Sequence, residues 1–210
     1  MFEVAIGTAV EARGRCVVAL SGGTTPSSAF AALAERDLPW ERVVLTQADE
    51  RVASVGSESR NLTSQLEAFS GLPVRWIPLP VASPIDDGIA SYVDELMEVS
   101  GRPPIIDVVH LGLGADGHTA SLVPGDPVLN EVNAEVALTG PYRGRERVTF
   151  TRPLIDRARL VVWLVRGEEK EAPLRRWMAG EQSIPAGRLS PRLSVVVADE
   201  AACPTGGIST

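Results

Sequence analysis

Short apolar runs alternate with segments of helical pattern along most of the 210 residues, and this alternation constrains the fold more than any other feature. The apolar runs have the length of buried strands and occupy residues 15–20, 42–51, 74–80, 105–111, 134–138, 147–151, 159–167 and 193–199. Helical patterns fall between several of them, at residues 25–36, 59–71, 83–101 and 168–180. The alternation predicts an α/β fold of three layers, a doubly wound, mostly parallel, Rossmann-like sheet flanked by helices.

The bulk properties favour one globular unit that acts on small molecules. The length suits a single domain covering residues 1–210. A formal net charge of −7 argues against a nucleic-acid partner, because counterion release needs a basic surface, but an anionic small substrate responds to local charge. No apolar run approaches the roughly 20 residues that span a bilayer, and the first residues do not resemble a secretory signal. We therefore expect a cytoplasmic protein without a membrane partner.

The cysteines and histidines are few and widely separated. Cys16 and Cys203 form no C-x-x-C pair, which favours a reducing compartment over a disulfide scaffold. His110 and His118 have no partner at zinc-ligand spacing, so no metal is expected. His110 lies inside an apolar run and is predicted to be a core residue. His118 follows that run and is a candidate for proton transfer near neutral pH.

Three polar or glycine-rich clusters follow predicted strands: SGGTTP at 21–26, ADER at 48–51 and GADGH at 114–118. Because ligands gather at the carboxyl ends of parallel strands, we expect the clusters to converge. The first combines glycines with the start of a helix, a combination that favours an anion, although a capped turn is the simpler interpretation. The second could orient a histidine, bind sugar hydroxyls or hold phosphate, or it could be an ordinary surface ion-pair group.

Gly112, Gly114 and Gly117 spell the G-x-G-x-x-G pattern of dinucleotide-binding loops. However, Asp116 would place a carboxylate inside the phosphate loop, and Glu135 does not stand at the carboxyl end of a strand. We therefore interpret the segment as a catalytic loop in which glycines allow a tight turn and His118 faces a pocket.

The chain resembles the 6-phosphogluconolactonase family, within the wider group that includes glucosamine-6-phosphate deaminase. The matching segments cover most of the chain in the family's order: LSGGTTP at 20–26, ADER at 48–51, SRN at 59–61, LGLGADGHTASLVPG at 111–125, RVTFTRPLIDRAR at 147–159 and GEEK at 167–170. The resemblance implies the glucosamine-6-phosphate isomerase type of α/β fold. It also implies hydrolysis of 6-phospho-D-glucono-1,5-lactone to 6-phosphogluconate in the oxidative pentose phosphate pathway, without metal or organic cofactor.

The resemblance further implies roles for individual residues. His118 would be the general base that activates water, and Asp116 and Asp49 would orient it or contact the sugar. Arg51 could hold phosphate or stabilise oxyanion charge, and the sequence leaves both roles open. The remaining expected binding residues, mostly for the 6-phosphate, are Ser21, Gly22, Gly23, Thr24, Asn61, Arg143, Arg147 and Lys170.

This chain departs from the family pattern in two places. Relatives tend to carry a proline-flanked lysine shortly before RVT, where this chain has Tyr142 and Arg143; Arg143 could substitute for the lysine with a different donor geometry. The N-terminal segment is also shorter than in relatives, which we expect to affect packing rather than chemistry.

Two alternatives to a lactonase stay open. A deaminase or isomerase tends to carry an asparagine–glutamate segment after the D-G-H loop, whereas here His118 is followed by TASLVPG. A silent sugar-phosphate-binding module would have no need of Asp49, Asp116 and His118 together. Both observations favour the lactonase.

Overall fold

Six of the eight apolar runs contribute strands to a parallel sheet in the computed structural model, which describes residues 1–23 and 25–204. Within those residues the strands are β1 (Cys16–Leu20), β2 (Val43–Gln47), β3 (Asp49–Arg51), β4 (Arg75–Trp76), β5 (Val108–Leu111), β6 (Val136–Tyr142), β7 (Arg145–Phe150), β8 (Leu160–Val165) and β9 (Ser194–Ala198). The α-helices are α1 (Phe2–Arg13), α2 (Thr25–Ala34), α3 (Asn61–Ala68), α4 (Ile85–Ser100), α5 (Arg152–Asp156) and α6 (Glu171–Met178). None of these helices is long and apolar enough to cross a bilayer.

The predicted doubly wound α/β architecture is confirmed. Six strands form one parallel sheet in the order β4–β2–β1–β5–β8–β9. Side chains alternate between its faces: in β1, Val17 and Ala19 join one apolar cluster, whereas Val18 and Leu20 join the other. Helices α1, α2 and α3 contribute to the second cluster, and α4, α5 and α6 contribute to the first. Both faces are covered, which explains why β1, β2 and β5 are buried along their whole length and why β1 is apolar throughout.

A second, antiparallel sheet of order β3–β7–β6 corrects one sequence prediction. Residues 42–51 do not form a single strand, because the chain leaves the parallel sheet at Ala48. The Ala48 amide donates to Leu20 O at 3.0 Å, while its carbonyl accepts from the Phe150 amide at 2.8 Å. Asp49–Arg51 therefore continues as β3 beside β7. The second sheet carries the ADER segment over the end of the first.

Other boundaries also differ from the predictions. The strand expected at 74–80 is only Arg75–Trp76, and residues Arg152–Asp156 form a short helix that the sequence patterns did not indicate. The N-terminal segment forms α1, which buries Ile6 and Ala9 in the cluster shared with α2 and α3.

The strand order reverses between β1 and β5. The chain continues from β1 through β2 to β4 on one side, and from β5 through β8 to β9 on the other. A crevice forms at such a switch point, outside the carboxyl ends of the two central strands. Residues 21–23 leave β1 there and residues 112–118 leave β5, so the fold brings two of the three predicted clusters to one place.

Candidate active site

A cavity of about 480 Å³ opens at the switch point. The predicted site residues that line it are Ser21, Gly22, Gly23, Asp49, Arg51, Asn61, His118, Arg143, Arg147 and Lys170. Asp116 is not among the lining residues, but it contacts His118, which is. Thr24 lies outside the described residues. The three sequence clusters thus surround one space, together with Lys170 from the segment after β8.

The shortest polar contact of the cavity wall joins His118 to Asp116. The imidazole Nδ1 lies 2.5 Å from Asp116 Oδ1, and the His118 amide donates to the same oxygen at 3.1 Å. Because a carboxylate accepts, Nδ1 carries the proton, and Nε2 keeps its lone pair. Within the described residues Nε2 has no hydrogen-bond partner. In the neutral form of the ring, Nε2 is therefore the nitrogen that can accept a proton.

The Asp116 carboxylate remains ionised at neutral pH. Partial burial works to raise the pKa of Asp116, but hydrogen bonds from His118 and Tyr142 outweigh it and hold that pKa below its ordinary value. An ionised Asp116 stabilises the imidazolium that forms when His118 accepts a proton. The pair is thus arranged for base catalysis.

The glycines of this loop serve the histidine and leave little room for a phosphate. A Cβ at Gly114 would lie 2.0 Å from His118 Nδ1, so only glycine permits the imidazole to lie over the loop. Gly117 has φ +80°, a left-handed conformation that places His118 after a tight turn. The Gly114 amide donates to His118 O at 2.8 Å, and the Gly117 amide donates to Gly114 O at 2.9 Å. These two amides of the G-x-G-x-x-G pattern are therefore unavailable to a dinucleotide.

Asp49 is the centre of a buried network rather than a partner of His118. Its Oδ2 accepts from Ser121 Oγ at 2.6 Å and lies 3.7 Å from Arg147 Nη1. Asn61 Nδ2 donates to the Asp49 carbonyl at 2.8 Å and to Oδ1 at 3.3 Å. Among the described residues, Asp116 alone of the two carboxylates contacts the imidazole. Asp49 therefore fixes Asn61 and Arg147 in the cavity wall.

Glu50 performs a structural task that the sequence analysis did not separate from its neighbours. Its fully buried carboxylate accepts from the amides of Arg51, Asn61 and Leu62 at 2.7–2.9 Å. Two of these amides belong to the first turn of α3, where no intrahelical acceptor exists. Arg60, also buried, lies 3.5 Å from the same carboxylate. Glu50 thereby joins β3 to α3 and positions Arg51 and Asn61 together.

The cavity is positively charged although the chain is acidic. Among its described lining residues are five cations, Arg51, Arg143, Arg147, Arg166 and Lys170, and two carboxylates, Asp49 and Glu169. Arg166 was not predicted from the sequence. The resulting local charge is opposite to the net charge of −7 and suits an anionic ligand.

Two of these cations are held with a nitrogen still free. Arg51 Nη1 donates to Ser59 O at 2.7 Å, while the buried Nε atoms of Arg51 and Arg147 lack partners within residues 1–23 and 25–204. Burial lowers the pKa of Arg147, and the nearby Asp49 carboxylate opposes that effect only in part. Lys170 Nζ lies 3.6 Å from Glu169. The two guanidinium groups thus line the cavity with hydrogen-bonding capacity that the described protein atoms do not use.

His110 is buried, as predicted, but it also supports the cavity. Its Nδ1 accepts from the Ser21 amide at 3.2 Å, and its carbonyl accepts from Ser21 Oγ at 3.0 Å. Burial lowers the pKa of His110 to about 3, so the ring stays neutral and Nδ1 stays an acceptor. The residue thus fastens the loop after β1 to β5.

Tyr142 was noted in the sequence only as a departure from the family pattern. Its hydroxyl donates to Asp116 Oδ2 at 3.0 Å, and its ring lies edge-on to the His118 ring with centroids 5.3 Å apart. A contact between residues far apart in the sequence, such as Tyr142 and Asp116, produces no periodic pattern in the sequence. The absence of the family's lysine near this position was the only indication that Tyr142 belongs to the site.

Within the described part of the chain, no group of three or more His, Cys, Asp or Glu side chains is arranged to hold a metal ion.

Comparisons with known proteins agree with this geometry. Residues 2–197 match the family of glucosamine-6-phosphate isomerases and 6-phosphogluconolactonase. A 6-phosphogluconolactonase of Synechocystis is 38% identical over 200 residues, covering 89% of this chain and 82% of the relative. The 6-phosphogluconolactonase of Rattus norvegicus is 33% identical over 211 residues, covering 90% and 80%.

Solved structures of 6-phosphogluconolactonases are similar to this chain in fold. The crystal structure of 6-phosphogluconolactonase from Thermotoga maritima superposes with a TM-score of 0.84 at 25% identity, covering 94% of this chain and 92% of that one. One from Shewanella baltica gives a TM-score of 0.80 at 26% identity, covering 94% and 90%. The chain therefore belongs to the family of glucosamine-6-phosphate isomerases and 6-phosphogluconolactonases.

Proposed function

We propose that the protein hydrolyses 6-phospho-D-glucono-1,5-lactone to 6-phosphogluconate, as part of the oxidative pentose phosphate pathway in the cytoplasm. The observation that carries the proposal is that His118, held by Asp116 and with Nε2 unpartnered among the described residues, lines a cavity together with five cations. This arrangement combines a base with a site for an anionic group. Residues 1–210 would act as one sugar-phosphate lactonase domain.

His118 is the general base of the proposed reaction. Its Nε2 takes a proton from water as the water oxygen attacks the lactone carbonyl carbon, and the carbonyl becomes a tetrahedral oxyanion. Collapse of that intermediate breaks the bond between the carbonyl carbon and the ring oxygen, and the imidazolium returns its proton to the leaving oxygen. The products are the carboxylic acid and the freed hydroxyl group. Asp116 stabilises the imidazolium in between, and a lactone needs no covalent nucleophile because it is an activated ester.

The 6-phosphate is held by the first loop and the cations. The amides of Gly22 and Gly23 precede α2, whose N-terminus favours negative charge, while the Ser21 amide donates to His110 Nδ1 and holds this loop against β5. Thr24 follows Gly23 in the sequence and is a further proposed phosphate ligand. Lys170 and Arg143 supply charge from two other walls of the cavity. Binding energy at the phosphate fixes the lactone carbonyl relative to His118.

Arg51, Arg147 and the groups around Asp49 form the remaining wall. Arg147 pairs with Asp49 and lies over the ring of Tyr142, which contacts His118. This places a guanidinium at the His118 side of the cavity, where it can stabilise developing oxyanion charge or bind a substrate oxygen. Arg51 lines the same wall, and Asn61, whose Nδ2 is engaged by Asp49, offers its Oδ1 to a sugar hydroxyl.

The alternatives within this family are less well supported. Residues 119–123 contain no carboxylate that could open an amino-sugar ring. The polar side chains among them are Thr119 and Ser121, which are buried, and Ser121 donates to Asp49. A binding module without catalysis would not need the proton acceptor.

A substrate assay tests the proposal. The lactone is generated in place from glucose 6-phosphate with glucose-6-phosphate dehydrogenase, and acid release is followed with and without the protein. We expect acceleration well above the spontaneous rate and little acceleration with unphosphorylated gluconolactone. Ammonia release from glucosamine 6-phosphate, or absence of both activities in folded protein, would contradict the lactonase assignment.

A further inference from the structure

The two oxygens of Asp116 have different partners. Oδ1 accepts from the ring and the amide of His118, and Oδ2 accepts from the Tyr142 hydroxyl at 3.0 Å. The Asp116 side chain is 38% exposed, so the loop alone leaves its outer oxygen open to water. Tyr142 is its one partner from another element among the described residues. The hydroxyl therefore fixes the outer oxygen of Asp116, while the His118 amide holds the inner oxygen toward the imidazole.

Tyr142 is itself held firmly by the second sheet. It lies at the end of β6, where the pairing with β7 shifts register between Thr139 and Tyr142. Arg143 and Gly144 then have φ values of +52° and +78°, and the chain returns at Arg145. Such an irregularity redirects a side chain at the edge of a sheet.

Two guanidinium groups contact the tyrosine ring. The Cζ atoms of Arg143 and Arg147 lie 5.2 Å and 5.3 Å from its centroid, within the range of cation–π attraction. Arg147 is in turn paired with Asp49. The ring thus connects the Asp49 network to the Asp116–His118 pair, and its own orientation is fixed by both.

We propose that Tyr142 is a positioning residue, which holds Asp116 so that His118 keeps its proton on Nδ1 and its lone pair on Nε2. The effect on catalysis rests on the proposed function; the effect on the imidazole does not. Tyr142, at the end of β6 in the antiparallel sheet, thus orients the His118 base in the loop that follows β5 of the parallel sheet. Without the hydroxyl, the carboxylate turns toward solvent and the imidazole loses the contact that selects its tautomer.

The two histidines make the tautomer measurable. Nitrogen NMR of the imidazoles gives signals from His110 and His118 alone. His110 accepts at Nδ1 from the Ser21 amide, so it has the opposite tautomer and serves as an internal reference. In the wild type we expect His118 to be protonated at Nδ1. In Tyr142→Phe, which keeps the ring, we expect a clear loss of that form and an unchanged His110.

Kinetics give the second readout. Tyr142→Phe should lower kcat about tenfold and change KM less than about twofold, because the base is disturbed and the binding groups are not. Tyr92→Phe is the matched control: Tyr92, the other tyrosine of the chain, forms a 2.7 Å hydrogen bond with Thr46 in the core, remote from the cavity lining. It should leave kcat and the His118 tautomer unchanged.

A double-mutant cycle makes the test independent of how well one variant folds. If Tyr142 acts through Asp116, adding Tyr142→Phe to Asp116→Asn lowers kcat no further. Additive losses, a raised KM with unchanged kcat, or an unchanged tautomer would overturn the proposal. If the wild type has no lactonase activity but Tyr142→Phe still changes the His118 tautomer, the proposed function is refuted and the positioning role of Tyr142 is not.

Discussion

Gly114 and His118 are in contact across the loop that follows β5. A Cβ at Gly114 would lie 2.0 Å from His118 Nδ1 and 2.6 Å from Asp116 Oδ1. The absence of a side chain is thus what lets the imidazole and the carboxylate meet above the backbone. Gly114 thus leaves the space that the Asp116–His118 pair occupies.

Gly114→Ala should therefore damage the reaction more than the fold. The new methyl group displaces the imidazole, so kcat should fall on the order of 100-fold, which is typical of a misplaced catalytic group. The melting temperature should change by only a few degrees, since only exposed or half-buried side chains move. Gly7→Ala in α1, where a Cβ meets nothing within 4 Å, controls for the substitution itself. Equal activity of the two variants would refute the steric explanation.

Glu50→Gln should lower the free energy of unfolding by about 3 kcal/mol, the cost of breaking a buried ion pair. Three backbone amides now donate to the two oxygens of the Glu50 carboxylate, whereas the glutamine side chain has only one acceptor oxygen. The substitution also removes the negative charge that faces the buried Arg60. Urea denaturation measures the loss. Glu67→Gln makes the same chemical change at an exposed position of α3 and should cost less than about 0.5 kcal/mol. Similar losses in both variants would contradict the role assigned to Glu50.

Lys170→Ala should raise KM for the phosphorylated lactone by roughly tenfold to 100-fold, the range for a lost charged hydrogen bond, and leave kcat nearly unchanged. The side chain lines the cavity from the segment after β8 and has no hydrogen bond or ion pair with Asp116 or His118 among the described residues. Steady-state kinetics over a range of lactone concentration separate the two constants. Arg36→Ala removes an exposed cation that pairs with Glu3 and is the control. An unchanged KM would remove Lys170 from the phosphate site.

His110 should make the fold sensitive to acid. Its pKa is lowered by burial from 6.5 to about 3, so below pH 6.5 the unfolded chain binds a proton that the folded protein excludes. The stability is therefore complete above pH 6.5 and falls by roughly 1.4 kcal/mol per unit as the pH decreases toward 3.

His110→Asn isolates this contribution, because its Oδ1 can still accept from the Ser21 amide but does not titrate. Between pH 7 and pH 5 the wild type should lose about 2 kcal/mol more unfolding free energy than the variant, measured in urea. An equal pH dependence of the two proteins would show that His110 gains its proton without cost.

The sequence predicts this fold where the signals are local. β1 and β8 are apolar, and β5 is apolar apart from His110, because the sheet is covered on both faces, and composition alone reveals that. The division of residues 42–51 into two strands has no such signal, since β3 is defined by pairing with β7, about a hundred residues along the chain.

In the site, too, contacts within one loop can be predicted from the sequence, whereas contacts between distant elements cannot. Asp116 and His118 are two residues apart, so their pairing follows from one loop and was expected. Tyr142 reaches Asp116 from a different sheet, and its aim depends on a register shift that no pattern encodes. Arg166 enters the cavity through the geometry of the segment after β8. Long-range placement is therefore the part that needed the structure.

The most direct test of the account is lactone hydrolysis by His118→Ala, measured together with its affinity for 6-phosphogluconate. A lost general base should lower kcat by about 10²- to 10⁴-fold, while the dissociation constant from calorimetry stays within about twofold of the wild type. That result would establish His118 as the base. Retained activity, or losses of rate and affinity in equal proportion, would contradict it.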